Sequence, residues 1–177
     1  GFSKESVTRR TEEAIEYFGL STVADRLPAV LGFGLRRKVS IAAVYSMNTP
    51  VLILDEPTSG LDLKSTNDLM RLISELNRLE HTIILITHDM RIVAEYVPYC
   101  MVMRGGEILA HDVTREIFKD SKLLLKTQIS VPQISELAKR MTAYGMPDDV
   151  LTVPEFSDEY NNILSNQEGG GISADRS

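Results

Sequence analysis

Two carboxylates stand side by side where an aliphatic run ends. Val51-Leu52-Ile53-Leu54 leads straight into Asp55-Glu56, and Pro57 and Gly60 then turn the chain. Adjacent acids of this kind suit a hydrated magnesium ion carrying phosphate, one acid holding the metal and the other handling a water. A solvated turn is the plain alternative for Asp-Glu-Pro alone. The full run from Val51 to Asp62, closing on Thr58-Ser59-Gly60-Leu61-Asp62, weighs against it.

The surrounding pattern shows what would position these acids. A short apolar run bounded by turn signals reads as a strand buried on both faces, as in parallel sheets. Ligand chemistry on such sheets lies outside the carboxyl ends of the strands, where Asp55 and Glu56 fall. Leu69, Leu72, Ile73, Leu76 and Leu79 stripe a helix over 64–79, and 82–87 is a second buried strand, completing a βαβ unit. Upstream, Val7, Thr11, Ala14, Ile15 and Phe18 stripe a helix stopped by Gly19. A short helix around 22–26 follows, broken by Pro28. Leu31-Gly32-Phe33-Gly34-Leu35 is a glycine turn feeding a helix through Val39, Ala42, Ala43 and Met47.

Downstream, a short helix through Ile92, Val93 and Tyr96 precedes a strand at 99–103. Arg104-Gly105-Gly106 turns it into a hairpin with 107–110, and 114–118 is a helical turn or two. Ile134, Leu137, Ala138 and Met141 stripe a later helix that Pro132 helps to start. Thr152-Val153-Pro154-Glu155 spells a capping box before Phe156, Tyr160, Ile163 and Leu164. These two helices pack on each other or on a partner. The tail Gln167–Ser177, with three consecutive glycines, reads as disordered.

The 177 residues suffice for one domain's core, and 43% hydrophobic with 25% charged residues is ordinary globular composition. A net charge of −6 argues against a broad nucleic-acid footprint but not against a small phosphate site. One cysteine, Cys100, sits in an apolar stretch as a core filler and allows no disulfide within the chain, which fits a cytosolic setting. No apolar run approaches the roughly 20 residues needed to span a bilayer. The chain begins at Gly1, which suggests a processed product or fragment.

The run Val51–Asp62 resembles the Walker B strand and D-loop of ATP-binding-cassette (ABC) ATPases, and Ile86-Thr87-His88-Asp89 resembles their switch histidine. The resemblance covers roughly 10–118. It implies an α/β fold: the C-terminal half of a P-loop-type nucleotide-binding domain, a parallel sheet core with flanking helices. It further implies ATP and Mg2+ as ligands, with Asp55 positioning the metal through its waters and Glu56 polarising the attacking water. His88 becomes the residue that bonds the γ-phosphate and Glu56, a task imidazole suits. Asp62 matches the D-loop aspartate that acts across a dimer, and it also suits the N-cap of the next helix. Taken without the resemblance, His88 could be a polar loop residue. His81 and His111 match nothing and read as solvated loop residues.

Two departures stand out. Leu31-Gly32-Phe33-Gly34-Leu35 occupies the place of the Leu-Ser-Gly-Gly-Gln signature, which grips the γ-phosphate held by the partner subunit. Gly32 replaces its serine, Phe33 a glycine and Leu35 its glutamine; Gly34 survives, and Arg36, Arg37 and Lys38 keep positive charge nearby. A helix entrance with a solvated basic face is the alternative. The second departure is that Gly-x-x-x-x-Gly-Lys-Ser/Thr is nowhere in the sequence, nor is a glutamine found upstream of the signature region.

The stretches 133–140 and 151–156 resemble the C-terminal extension of the ATPases of energy-coupling-factor importers, which take up vitamins or metal ions. The expected organisation is therefore 1–120 as the ATPase half, 121–166 as a helical extension and 167–177 as a tail. The expected role is an ATPase subunit on the cytoplasmic face of the membrane. Its partners would be a second ABC ATPase subunit and transmembrane subunits, with no nucleic acid. A degenerate, non-catalytic subunit that pairs with an active ATPase is the first rival. A soluble ABC ATPase of DNA repair or translation is the second; Ser59-Gly60-Leu61-Asp62 and the lack of a long heptad segment count against it.

Overall fold

Ser3 starts the first helix. Its hydroxyl accepts from the Ser6 N–H at 3.2 Å, which places the start of α1 (Lys4–Tyr17) one turn earlier than the apolar stripe suggests. The structure is a computed structural model and describes residues 2–169. It divides into two compact units, the first ending at His88 and the second beginning at Asp89.

In the first unit, Gly19 (φ 64°) stops α1 in the left-handed region that glycine adopts without strain. The short helix expected around 22–26 is instead a pair of 3-10 turns, Ser21–Val23 and Pro28–Val30. Proline lacks the N–H that would carry an α-helix through this stretch. Helix α2 (Phe33–Tyr45) starts from Gly32 and buries Ile41 and Ala42. Met47, expected on its stripe, lies past the helix end and is exposed.

Rings close the end of this unit. Tyr17 stacks on Tyr45 at 5.5 Å, Phe18 leans on Tyr45, and His81 packs against Tyr45 at 5.4 Å. The His81 Nδ1 lies 3.1 Å from the Thr49 carbonyl. His81 is thus partly buried, contrary to the solvated-loop expectation, because the turn after α3 folds it onto this ring cluster.

Strands β1 (Val51–Asp55) and β2 (Thr82–Ile86) pair in parallel, Val51 opposite Thr82 and Asp55 opposite Ile86. Between them runs α3 (Leu63–Arg78), with Leu69, Met70, Ile73 and Leu76 all buried. The strand was expected to be buried on both faces; it is buried on one. Leu52 and Leu54 are 1% and 7% exposed, whereas Val51 and Ile53 are 43% and 63% exposed. Alternate residues of a strand point to opposite faces, and here only one face is covered. Leu79 terminates α3 and is exposed, so the apolar stripe ends at Leu76.

The second unit opens with α4 (Met90–Tyr96), capped by the Asp89 carboxylate, which accepts from Arg91 and Ile92 N–H groups at 2.9 and 3.2 Å. Strands β3 (Tyr99–Arg104) and β4 (Glu107–Val113) form the expected antiparallel hairpin around Gly105 and Gly106, both at positive φ. A bulge at Leu109 breaks the register, since Val102 pairs with Ala110 but Met103 with Ile108. Beyond it β4 continues to Val113, three residues further than expected, which makes His111 a strand residue rather than a loop residue.

Helices α5 (Thr114–Lys119) and α6 (Ser121–Thr127) put Phe118, Ile117, Leu123 and Leu124 into a core with Val93 and Val102, against which the half-buried Cys100 packs. Burial pushes the Cys100 thiol above its ordinary pKa, as befits a core filler. Helices α7 (Gln133–Arg140) and α8 (Val153–Gly169) pack on each other through Ala138, Met146, Val150, Phe156 and Ile163. The capping box is present in variant form: Thr152 Oγ1 accepts from Glu155 N–H at 3.3 Å, while Glu155 Oε2 accepts from the N–H of Leu151. Residues 167–169 of the expected tail belong to α8, and 170–177 lie outside the described residues. Among the described residues no helix is long and apolar enough to cross a membrane.

Candidate functional site

Strand β1 delivers Asp55 as its last residue. Glu56 follows with φ 44°, a left-handed conformation that costs a non-glycine residue about 1–3 kcal/mol. Its N–H donates to the Ile86 carbonyl at 2.9 Å, so the ladder with β2 continues one residue past the strand and fixes the strained residue. Glu56 Oε1 then accepts twice from His88, from the backbone N–H at 3.0 Å and from ring Nδ1 at 2.6 Å. A carboxylate only accepts, so Nδ1 carries the proton in this contact. The Thr87 hydroxyl donates to Oε2 at 3.4 Å. Two parallel strand ends thus converge on one carboxylate, with the Glu56 side chain about one-third exposed and the His88 ring largely exposed.

Asp55 has an exposed side chain with no hydrogen bond or ion pair among the described residues. A lone uncommitted carboxylate is a donor that fits magnesium, which keeps several of its waters and takes one or two protein carboxylates. Among the described residues no group of three or more His, Cys, Asp or Glu side chains forms a metal cluster.

A second grouping surrounds the start of α2. Gly32 has extended backbone and offers no side-chain cap, and a Cβ built there meets nothing within 4 Å. The Phe33 ring lies over Gly60 (φ 77°), 3.2 Å from where a Cβ would sit, and the Arg36 and Arg37 guanidinium groups stand 5.3 and 5.9 Å from its centroid. Gly34 lies against Ser65, whose hydroxyl is 3.6 Å from a Cβ built on the glycine. Ser65 in turn donates its N–H and hydroxyl to Asp62 at 2.8 and 2.9 Å, which caps α3 and holds the Asp62 carboxyl below its usual pKa. The structure therefore brings Glu56 to His88, and Gly34 to the Asp62 cap.

The sequence pattern assigns neither the Thr87 bond to Glu56, nor the Ser65 bonds to Asp62, nor the Phe33–Gly60 contact. A hydroxyl beside His88 and another three residues after Asp62 were the available signals. Nothing in the sequence announces that Phe33 would reach back over Gly60.

A family model described as "AAA domain, putative AbiEii toxin, Type IV TA system" matches residues 5–94, just over half of the chain. The chain belongs to this AAA domain family. The chain is 38% identical over 168 residues to the energy-coupling factor transporter ATP-binding protein EcfA2 of Caldanaerobacter subterraneus subsp. tengcongensis, covering 93% of this chain and 59% of that protein. It is 32% identical to the EcfA protein of Methanothermobacter thermautotrophicus, covering 93% and 53%. The structure of cbiO1 from Clostridium perfringens, part of the ABC transporter complex cbiONQ, superposes with TM-score 0.62 at 33% identity, over 77% of this chain and 55% of that one. A nucleotide-free ATP-binding cassette from an ABC transporter gives TM-score 0.65 over 72% and 51%. The fold is that of an ABC ATPase nucleotide-binding domain. The chain spans little more than half the length of these relatives.

Proposed function

We propose that this AAA-family chain contributes the hydrolytic acid pair and switch histidine of an ABC-type ATPase subunit, one that powers an energy-coupling-factor importer. The observation that carries the reading is the double hydrogen bond from His88 to Glu56 Oε1, made where two parallel strands end. Glu56 is thereby aimed to polarise a water for in-line attack on a γ-phosphate. The water's oxygen bonds to phosphorus, the β–γ bridging bond breaks, and the water's proton goes to the carboxylate. His88, oriented through Nδ1, meets the transferred phosphate and keeps Glu56 from swinging away. Asp55 fits Mg2+ through its water shell, where the ion would neutralise charge on the β- and γ-phosphate oxygens.

Gly32, Gly34 and Asp62 face the nucleotide of a second ATPase subunit, homo- or heterodimeric, and transmembrane subunits take up the motion at the cytoplasmic membrane face. Residues 1–120 carry the ATPase half and 121–166 the helical extension. The chain has no phosphate-binding loop in its sequence and on its own neither binds ATP tightly nor hydrolyses it. The test is ATPase and transport in the assembled importer. Glu56→Gln should abolish turnover while ATP still binds; full turnover by the Gln variant would overturn the reading.

A second reading rests on the altered signature, where Phe33 covers Gly60 and no serine caps α2. It makes the chain a degenerate subunit that pairs with an active ATPase. Gly32→Ser with Phe33→Gly separates the two, since unchanged activity of the assembled transporter removes the support for degeneracy.

A further inference from the structure

The second unit encloses a cavity of about 310 Å³ between α5, the start of α6, α7 and the segment 148–151, at the small end of the roughly 300–1,000 Å³ typical of ligand pockets. Ser135 of α7 lines it. This serine is 1% exposed and its Oγ has no hydrogen-bond partner. Buried hydroxyls are nearly always paired, so an orphan on a cavity wall points to a partner that enters from the cavity.

The charges on the wall sort into committed and uncommitted groups. Arg115 bonds the Asp149 carbonyl and the Glu155 carboxylate, the latter at 2.6 Å. Lys119 bonds Glu116 at 3.1 Å and stands 3.6 Å from Asp149. These bonds lift Lys119 above its ordinary pKa, so it stays a cation already matched by acids. Two lining charges remain. Lys139 and Asp148 are both exposed, and neither has an ion pair among the described residues. Phe118 and Leu151 supply apolar surface beside them.

We propose that this cavity binds a small zwitterion of the α-amino-acid type. Its carboxylate accepts from Lys139 and the Ser135 hydroxyl, its ammonium donates to Asp148, and its side chain lies on Phe118 and Leu151. A simple anion would be opposed by Asp148 and a simple cation by Lys139; a molecule carrying both charges satisfies both. The site shares no residue with Asp55, Glu56 or His88, so the outcome here is independent of the ATPase reading.

The test is thermal shift and calorimetric titration of the full chain with each α-amino acid at millimolar concentration. Acetate, methylammonium and inorganic phosphate serve as single-charge controls. At least one amino acid should raise Tm and titrate saturably, and the controls should not. Lys139→Gln and Asp148→Asn, both at exposed positions, should each weaken binding about tenfold or more while leaving the unliganded Tm in place. Ser135→Ala should remove the ligand-induced shift yet keep or raise the unliganded Tm, because it deletes an unpaired buried hydroxyl. The proposal is overturned if no amino acid binds, if the three variants bind as the parent does, or if phosphate alone binds as well.

Discussion

Glu56 shows how much local strain one residue accepts when its neighbours fix it. Its left-handed backbone is held by the Ile86 carbonyl, and its side chain by the N–H and ring of His88. Under the proposed function, Glu56→Gln should lower ATP turnover of the assembled transporter by roughly 10²–10⁴-fold, the range for losing a general base, while steady-state nucleotide binding persists. Gly60 is constrained differently. A Cβ there adds left-handed strain of about 1–2 kcal/mol and pushes on the Phe33 ring. Chemical denaturation should show Gly60→Ala destabilised, and less so in a Phe33→Ala background, where only the backbone term remains. Equal losses in both backgrounds would mean the ring contact is immaterial. For Asp62, the Ser65 bonds lower the folded pKa. Its stabilising contribution is therefore complete above the ordinary aspartate value and is lost as pH falls through the lowered one. Asp62→Ala should lower Tm by a few degrees at neutral pH, with the difference from the parent vanishing in strong acid.

Helices depend on what they bury and how they begin. Helix α3 drives Leu76, 0% exposed, into the core of the first unit, and Leu76→Ala should cost about 2–5 kcal/mol in urea denaturation. A loss under 1 kcal/mol would mean the site collapses around the deletion. Helix α2 begins with no side-chain cap at Gly32, in open space. Gly32→Ser should therefore fold without clash and gain a few tenths of a kcal/mol from capping. The same change restores the serine of the signature that Leu31–Leu35 resembles, so stability and, under the proposed function, transporter activity can be measured on one variant.

Across the whole molecule, the first unit leaves one face of its parallel strand pair uncovered. Val51, Ile53, Ile84 and Ile86 are 43–63% exposed there, a contiguous apolar surface of the kind that promotes association. Ile53→Thr should reduce concentration-dependent light scattering of the chain with little change in Tm, because Ile53 has little burial to lose. In the second unit, the Arg115 contacts with Asp149 and Glu155 tie α5 to the start of α8.

The sequence by itself determined the elements that carry strong local signals. Val51–Asp55, the α3 stripe, the Gly105-Gly106 hairpin and the Thr152–Glu155 cap were legible because period, turn residues and capping act over a few residues. Asp55, Glu56 and His88 were legible as types at strand ends, through a resemblance to known ATPases. Only the tertiary structure decided that Glu56 is left-handed and bonded to His88, residues 32 apart in sequence. The same is true of Phe33 over Gly60, His81 on Tyr45, and which strand face lies bare. Periodicity records that a residue is apolar, but whether its face is covered depends on packing from elsewhere in the chain, which no local pattern contains.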